Sequence, residues 1–270
     1  MWNEIKHHRI FYKLPSILAV MKRGKVKSQT TIFIIVAIAL LAIISIFFYI
    51  QKTTQLNSQE TTSLDTQSIY DFVTECLQTS TENAIEKVGL QGGDTTKKLS
   101  NNISIYYEKG KSFLPPKTLL EENIAEEIQK NIPDCTLNFY SFSDYEISQN
   151  AIKVSTEIDI DKVNIIARYP LTITKGETTH KIENFKTEVN VPLGKIHAII
   201  SEINDDQLLH PTTLCLSCLY TKAEENNLFV ELTEYDKQTT IISFIDKKTI
   251  VNKDFFRYNF AHVYEPENEN

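Results

Sequence analysis

Apolar and polar positions divide this chain of 270 residues into one unbroken apolar run near its start and shorter periodic patterns after it. Residues 32–50 read IFIIVAIALLAIISIFFYI, with no charged side chain and with only Ser45 interrupting the apolar character. A helix of this length spans roughly 28 Å, close to the hydrocarbon thickness of a bilayer. A buried core helix is usually shorter and polar on one face, so the run predicts a transmembrane helix over residues 30–50.

The charges on either side of this run predict its orientation. Seven Lys and Arg residues precede it, and Glu4 is the only acidic residue there. Because basic flanks stay on the cytoplasmic side, we expect the leader, residues 1–29, in the cytoplasm and the C-terminal region outside the cell. Of the 28 basic and 35 acidic residues, 21 and 34 remain beyond the helix, a net charge of −13. This excess disfavours binding to nucleic acid or to an anionic membrane surface.

A cleaved secretory signal is the alternative interpretation of the apolar run. Such a signal has an apolar region of about 7 to 15 residues that ends in small side chains at the cleavage site. Residues 47–49 are Phe, Phe and Tyr, which favours an uncleaved signal anchor in the cell membrane. Met21 begins a compact basic segment directly before the helix, and this position fits a translation start as well as Met1 does.

The organisation after the helix follows from composition. Residues 51–64 contain few apolar side chains and predict a flexible stalk. Residues 65–264 carry periodic patterns and predict an exported α+β region, with a subdivision near residue 210 left open. The last residues, 265–270, read EPENEN and predict a disordered tail.

Helical periodicity occurs twice at the start of the exported region. Apolar residues repeat every three or four positions from Asp65 to Val88, and Gly89 is a natural stop. A second helix is predicted from Thr118, with Glu121 completing a capping box and Pro133 ending the helix.

Strand periodicity follows. Alternating apolar residues over 152–160, 165–173 and 185–191 predict three strands of an antiparallel meander, and Pro192 then starts a helix. A helix over 213–226 precedes three further predicted strands, at 228–235, 239–246 and 255–263. Helices in blocks with hairpins between them predict an α+β fold with antiparallel sheets, since parallel sheets need a helix between successive strands.

All four cysteines lie beyond the predicted membrane helix, which fits an oxidising compartment. Cys76 lies on the apolar face of the first predicted helix and Cys135 lies just past the second. Packing these helices together would bring the thiols close, so we expect a Cys76–Cys135 disulfide that buries both side chains. The alternative is two buried free thiols.

Cys215 and Cys218 form a C-x-x-C motif near a predicted helix start. A helix N-terminus stabilises a thiolate, so a redox pair is one hypothesis; a structural disulfide, a free pair and simple core packing are the others. The preceding DDQLLHP is not the apolar strand that a thioredoxin-like site needs. A zinc site would require further ligands, and only His210 is near.

Other chemistry-bearing residues are scattered. His180, His197 and His262 have no metal-ligand spacing, and we expect them at the surface or hydrogen-bonded. Asn102 begins an N-x-S sequon and is a candidate glycosylation site. No nucleophile elbow, phosphate-binding loop or catalytic carboxylate pair is present in the sequence, so we predict no enzyme and no cofactor.

Several segments carry a family resemblance: KSQTTIFII from Lys27, YDFVTECL at 70–77, VGLQGG at 88–93, YPLTITKG at 169–176 and VPLGKI at 191–196. With the apolar run that continues from the first of them, they resemble uncharacterised single-pass membrane proteins of small-genome archaea. The resemblance covers most of the chain. It implies the same anchored architecture and no known activity.

Three functions fit these observations. The first is a surface-exposed binding or cell-envelope protein, anchored in the bilayer by residues 30–50 and contacting a protein partner. The second is a type IV pilin-like subunit, since a basic leader precedes Gln29 and a long apolar helix; Phe33 in place of an acid, and the stalk, count against it. The third is a membrane-tethered thiol-disulfide oxidoreductase that uses Cys215 and Cys218.

Overall fold

The structure, a computed structural model, describes residues 66–264 and Leu40. Four predicted segments lie outside the described residues: the leader 1–29, the membrane helix 30–50 apart from Leu40, the stalk 51–64 and the tail 265–270. Among the helices that the structure describes, none combines the length and apolar character needed to cross a membrane.

Residues 66–264 form an α+β fold, as the sequence predicts. The helices are α1 (Gln67–Gln91), α2 (Lys117–Thr136), α3 (Leu193–Leu209) and α4 (Leu216–Glu225), with a 3₁₀ segment at Leu137–Phe142. The strands are β1 (Ile105–Glu108), β2 (Lys111–Ser112), β3 (Glu146–Gln149), β4 (Lys153–Ile158), β5 (Val163–Lys175), β6 (Thr178–Val189), β7 (Phe229–Asp236), β8 (Thr239–Val251) and β9 (Asp254–Val263).

Helix α1 continues past its predicted stop. Gly89 is buried inside the helix, and the chain turns instead at Gly92, whose φ is +67°. The physical reason is close packing, since a Cβ at Gly89 would lie 2.5 Å from the carbonyl oxygen of Arg257 on β9. Gly89 therefore lets α1 approach β9, and Gly92 supplies the left-handed cap.

The predicted ends of α2 are also wrong. The N-cap is Pro116, without a side-chain cap bond, and Glu121 instead accepts a hydrogen bond from the backbone N–H of Ile158 at 3.0 Å. The helix continues through Pro133 to Thr136. A proline this close to the end removes few helical hydrogen bonds, and the disulfide of Cys135 with Cys76 ties this last turn to α1.

The first sheet is the predicted antiparallel meander with one addition. Strand β5 is central: β6 pairs with one edge, and β3 and β4 pair in succession with the other. The predicted first strand ends earlier, at Ile158, and β3 extends the same side of the sheet.

The second sheet has the order β2-β1-β9-β8-β7. Strands β7, β8 and β9 form the second predicted meander. Strand β1 was not predicted, and it pairs parallel to β9, so the expectation of purely antiparallel sheets is wrong here. Its burial on both faces leaves no alternation in IYYE to mark it as a strand.

The main core joins both sheets and all four helices. It contains residues on both sides of residue 210, such as Ile203 of α3 and Leu219 of α4, and residues 66–264 belong to one compact unit. The Cys76–Cys135 disulfide lies at the edge of this core, with the Cα atoms 5.7 Å apart. Cys76 is buried, whereas Cys135 is only half-buried, because it lies in the last turn of α2.

Candidate functional site

The second cysteine pair forms a disulfide at the start of α4. The Cα atoms of Cys215 and Cys218 are 5.3 Å apart, and the Sγ of Cys215 accepts a hydrogen bond from the N–H of Cys218 at 3.2 Å. Cys215 is thereby the N-cap of α4. Both cysteines are partly exposed and only Leu219 of this segment is buried, so the core-packing hypothesis is wrong.

A pocket of about 250 Å³ lies beside this disulfide, between α3 and α4. Asp206 of α3 forms part of its wall, and one carboxylate oxygen lies within 4.8 Å of both sulfur atoms. Lys222 and Glu202, which also line the pocket, form an ion pair. The arrangement places two sulfurs at a helix N-terminus, which favours a thiolate, next to a carboxylate, whose negative charge opposes one.

The same three residues do not make a complete zinc site. A structural zinc site needs four ligands, and both sulfurs are bonded to each other rather than available as thiolates. His210 is the nearest histidine in sequence, and its Nδ1 lies 3.6 Å from a carboxylate oxygen of Asp206. No fourth donor joins this group within the described part of the chain.

On its other side, α4 borders an apolar groove of about 600 Å³. Tyr220 of α4 and Phe229 of β7 line it, and each is 50% exposed. Leu228 and Val230 form its floor, and the Nζ of Lys247 lies 3.7 Å from the centre of the Phe229 ring. Helix α4 therefore has the disulfide pocket on one side and the groove on the other.

Sequence reasoning missed this groove. Helix α4 carries two apolar i, i+4 pairs: Leu219 and Ala223 are buried, whereas Leu216 and Tyr220 are half-exposed. One pair suffices to attach a helix of ten residues to a core, so the second pair is a signal for a second apolar surface. The groove itself also needs β7, which follows α4 directly and could be placed only with the fold known.

The predicted glycosylation residue lies on an exposed turn. Asn102 has a φ of +66°, and its backbone N–H donates to the carbonyl oxygen of Leu99 at 3.0 Å. Ser104 of the same sequon is buried, and its hydroxyl donates to the carbonyl oxygen of Gly93 at 2.8 Å. The folded chain thus presents the Asn102 amide to solvent and keeps the serine hydroxyl inside, and glycosylation stays a prediction.

The three histidines are in different environments. His180 is exposed, and a ring nitrogen of His197 lies 2.9 Å from the carbonyl oxygen of Pro115. His262 contradicts the expectation of a surface or hydrogen-bonded position, because it is 0% exposed and neither ring nitrogen has a partner among the described residues. Burial lowers the pKa of His262 to about 3, so the ring is neutral.

The described residues therefore offer two sites around α4: a disulfide with a neighbouring carboxylate, and an apolar groove that continues into strand β7. The disulfide can react with thiols by thiol-disulfide exchange, and the groove can bind apolar side chains of a partner. Comparisons with protein-family models, with curated proteins and with solved structures find no match to this chain.

Proposed function

We propose that this protein is a membrane-anchored, surface-exposed binding protein. Residues 30–50 anchor it in the bilayer with the N-terminus in the cytoplasm, and residues 65–264 bind a protein partner outside the cell. The groove between α4 and β7 is the observation that carries the binding function, because half-exposed aromatic side chains on concave surfaces favour protein recognition.

Two further features support the location. All four cysteines are paired in disulfides, which suits a protein outside the reducing cytoplasm. The basic leader before the apolar run favours a cytoplasmic N-terminus. The family resemblance to archaeal single-pass membrane proteins agrees with this architecture.

Site-specific photocrosslinking in the native membrane tests the binding function. The change Tyr220→p-benzoylphenylalanine places the probe in the groove, and Tyr140→p-benzoylphenylalanine is the matched control, because Tyr140 is 88% exposed and lies on the 3₁₀ segment. We expect a discrete crosslinked product from the groove position alone. Equal products from both positions, or none from either, would contradict the proposal.

Protease treatment of intact cells tests the topology. Added protease should remove the region beyond Lys52 and leave the leader intact. We expect the intact mass to equal that of a chain whose first residue is Met1 or Met21. A mature chain that begins at Gln29 would instead favour the pilin-like subunit, because prepilin processing removes the basic leader.

A thiol-disulfide oxidoreductase is the second candidate, favoured by the partly exposed Cys215–Cys218 disulfide at the N-terminus of α4. A substrate thiolate would attack one sulfur, form a mixed disulfide and release the other cysteine as a thiol. The second substrate thiol would then displace the enzyme, leaving an oxidised substrate and two reduced cysteines. The unchanged chain should accelerate the reduction of insulin by dithiothreitol, and the Cys215→Ser variant should not. Ser148→Ala, at an exposed position on β3, is the control, and equal rates for all three proteins would exclude this candidate.

A further inference from the structure

Strand β7 is an open edge of the second sheet. It pairs with β8 on one side only, and the pairing is regular from Phe229 opposite Ile245 to Glu234 opposite Thr240. Among the described residues, the backbone groups of this stretch form no further backbone hydrogen bonds outside the sheet. A regular edge strand of this kind is a template for pairing with another chain.

Two other edges, those formed by β4 and β6, are protected. The outer side of β4 is covered by α2, where Gln129 accepts a hydrogen bond from the N–H of Val154 at 3.1 Å and Glu121 accepts one from Ile158 at 3.0 Å. Strand β6 carries Lys181 and Lys186, and lysine on an edge strand disfavours pairing. Strand β7 has no lysine and no proline between its ends.

The apolar groove lies at the beginning of the same edge. Leu228 and Val230 line it, so a strand added next to β7 would place an apolar side chain against them and against Tyr220. The half-buried Leu232 continues this apolar side of the edge. The edge of β7 therefore combines unpaired backbone groups with an apolar surface that can bind a side chain of the added strand.

Charge varies along this edge. The basic groups lie at the groove end, where Lys247 is stacked on Phe229 and Lys248 is a neighbour. Glu231 is already bound to Arg257, and this hydrogen bond lowers the pKa of Glu231.

The opposite end of β7 is acidic. It carries Glu234 and Asp236, and a hydrogen bond from the N–H of Gln238 lowers the pKa of Asp236. Lys237 in the following turn leaves this end with a net negative charge. A second copy of β7, paired antiparallel in full register, would place its Glu231 opposite Glu234, and like charges directly opposite each other disfavour this pairing.

We propose that β7 binds an extended segment of another protein as an additional strand of the sheet, with an apolar side chain in the groove and a lysine or arginine opposite Glu234 and Asp236. This inference rests on the proposed binding function and names its partner class. Backbone hydrogen bonds supply the affinity of such strand addition, and alternate side chains supply the specificity.

The probe is the peptide Ac-Lys-Val-Thr-Leu-Thr-Val-Lys-NH₂, which has the same sequence in both directions and alternates apolar and polar side chains. Two control peptides are used. Ac-Lys-Thr-Val-Val-Leu-Thr-Lys-NH₂ keeps the composition and lacks the alternation. A version of the alternating peptide with every interior amide N-methylated cannot donate hydrogen bonds from those backbone amides. For the measurement, each peptide carries a fluorescein group in place of the acetyl group, and the fluorescence anisotropy of the labelled peptide with the full chain in detergent micelles measures binding. We expect the alternating peptide to bind at least about tenfold more tightly than either control.

Two readouts on the protein locate the peptide. Amide hydrogen exchange should slow at Phe229–Asp236 when the alternating peptide binds. Glu234→Lys should weaken binding roughly three- to fivefold, as expected for one exposed charge pair. Glu177→Lys, at the exposed turn after β5, is the matched control and should bind normally.

Three outcomes would overturn the proposal. Equal binding of all three peptides would mean simple attraction between charges, and absence of binding would mean that the edge does not accept a strand. A stable dimer with slow exchange at β7 before peptide is added would mean that a second copy occupies the edge. A crosslink from the groove position with any of these results would leave the binding function intact and remove only strand addition.

Discussion

The hydroxyl oxygens of Tyr106 on β1 and Tyr258 on β9 lie 2.6 Å apart in the core, and the Tyr106 hydroxyl donates to the carbonyl oxygen of Gly92 at 2.9 Å. Tyr106 has one proton to donate, so Tyr258 donates to Tyr106. Burial raises the pKa of both phenols, which therefore stay protonated. This chain of two hydrogen bonds connects the parallel strand pair to the end of α1.

The direction of these bonds predicts unequal effects of removing each hydroxyl. Tyr258→Phe loses one hydrogen bond and leaves Tyr106 bonded to Gly92, so we expect a loss of about 1 kcal/mol in the free energy of unfolding. Tyr106→Phe leaves both the Gly92 carbonyl and the Tyr258 hydroxyl without this partner, and we expect about 2–3 kcal/mol. Urea unfolding of residues 64–270 measures both values; equal losses would contradict the assigned direction.

At Gly89, replacing glycine by alanine inside a helix should destabilise the protein instead of stabilising it. Replacing glycine by alanine inside a helix normally stabilises by roughly 0.5–1 kcal/mol. Gly89→Ala should instead lower the free energy of unfolding, because the new Cβ would collide with the carbonyl group of Arg257 on β9. Thermal unfolding checks the sign, and a raised melting temperature would show that α1 can move away from the sheet without cost.

Some of the fold was predictable because its signals are local. The alternation along β5 needs only its own residues, and so does the hairpin of β8 and β9. The ends of α1 and α2 were predicted wrongly because contacts with distant residues determine them. Gly89 packs closely against β9, and the disulfide of Cys135 with Cys76 holds the turn after Pro133 against α1.

The candidate site was also predictable only in part. The C-x-x-C spacing at Cys215 and Cys218 is visible in the sequence and does form a disulfide. The position of Asp206 beside it depends on how α3 packs against α4, and the groove depends on where β7 lies. Neither arrangement has a spacing that could be recognised along the chain.

The buried, neutral His262 predicts a loss of stability in acid. Its folded pKa of about 3 is below the ordinary value of 6.5, so the unfolded chain binds more protons between these values. The contribution of His262 is complete above pH 6.5 and decreases as the pH falls towards 3, by about 1.4 kcal/mol for each pH unit. The free energy of unfolding of residues 64–270 should therefore fall by about 2 kcal/mol when the pH is lowered from 6.5 to 5.

A substitution isolates this effect. His262→Phe keeps an aromatic ring among Tyr107 and Phe260, whose ring centres each lie 5.4 Å from that of His262. This variant should show a flatter dependence of stability on pH in that window. His180→Ala, at an exposed position, should keep the dependence of the unchanged protein. The same slope in all three proteins would show that other groups cause the acid sensitivity.

The two disulfides should contribute unequally to global stability. The Cys76–Cys135 bond closes a loop with a sequence separation of 59 residues, whereas the separation in the second bond is 3. The double substitution Cys76→Ala and Cys135→Ala should cost about 4 kcal/mol in the chain-entropy model, and the corresponding change at Cys215 and Cys218 much less. Comparable losses in urea unfolding would contradict this ranking.

Loss of the Cys215–Cys218 bond should act locally, on the groove. Helix α4 contributes only Leu219 and Ala223 to the buried core, and its N-cap is the Cys215 sulfur, so replacing both cysteines by alanine removes much of what fixes its first turn. We expect faster amide exchange over Leu216–Glu225 and weaker binding of the alternating peptide, with exchange in α1 unchanged. Ser148→Ala, which keeps the disulfide and lies at an exposed position on β3, is the control. Unchanged exchange in α4 would mean that Leu219 and Ala223 alone hold the helix against the groove.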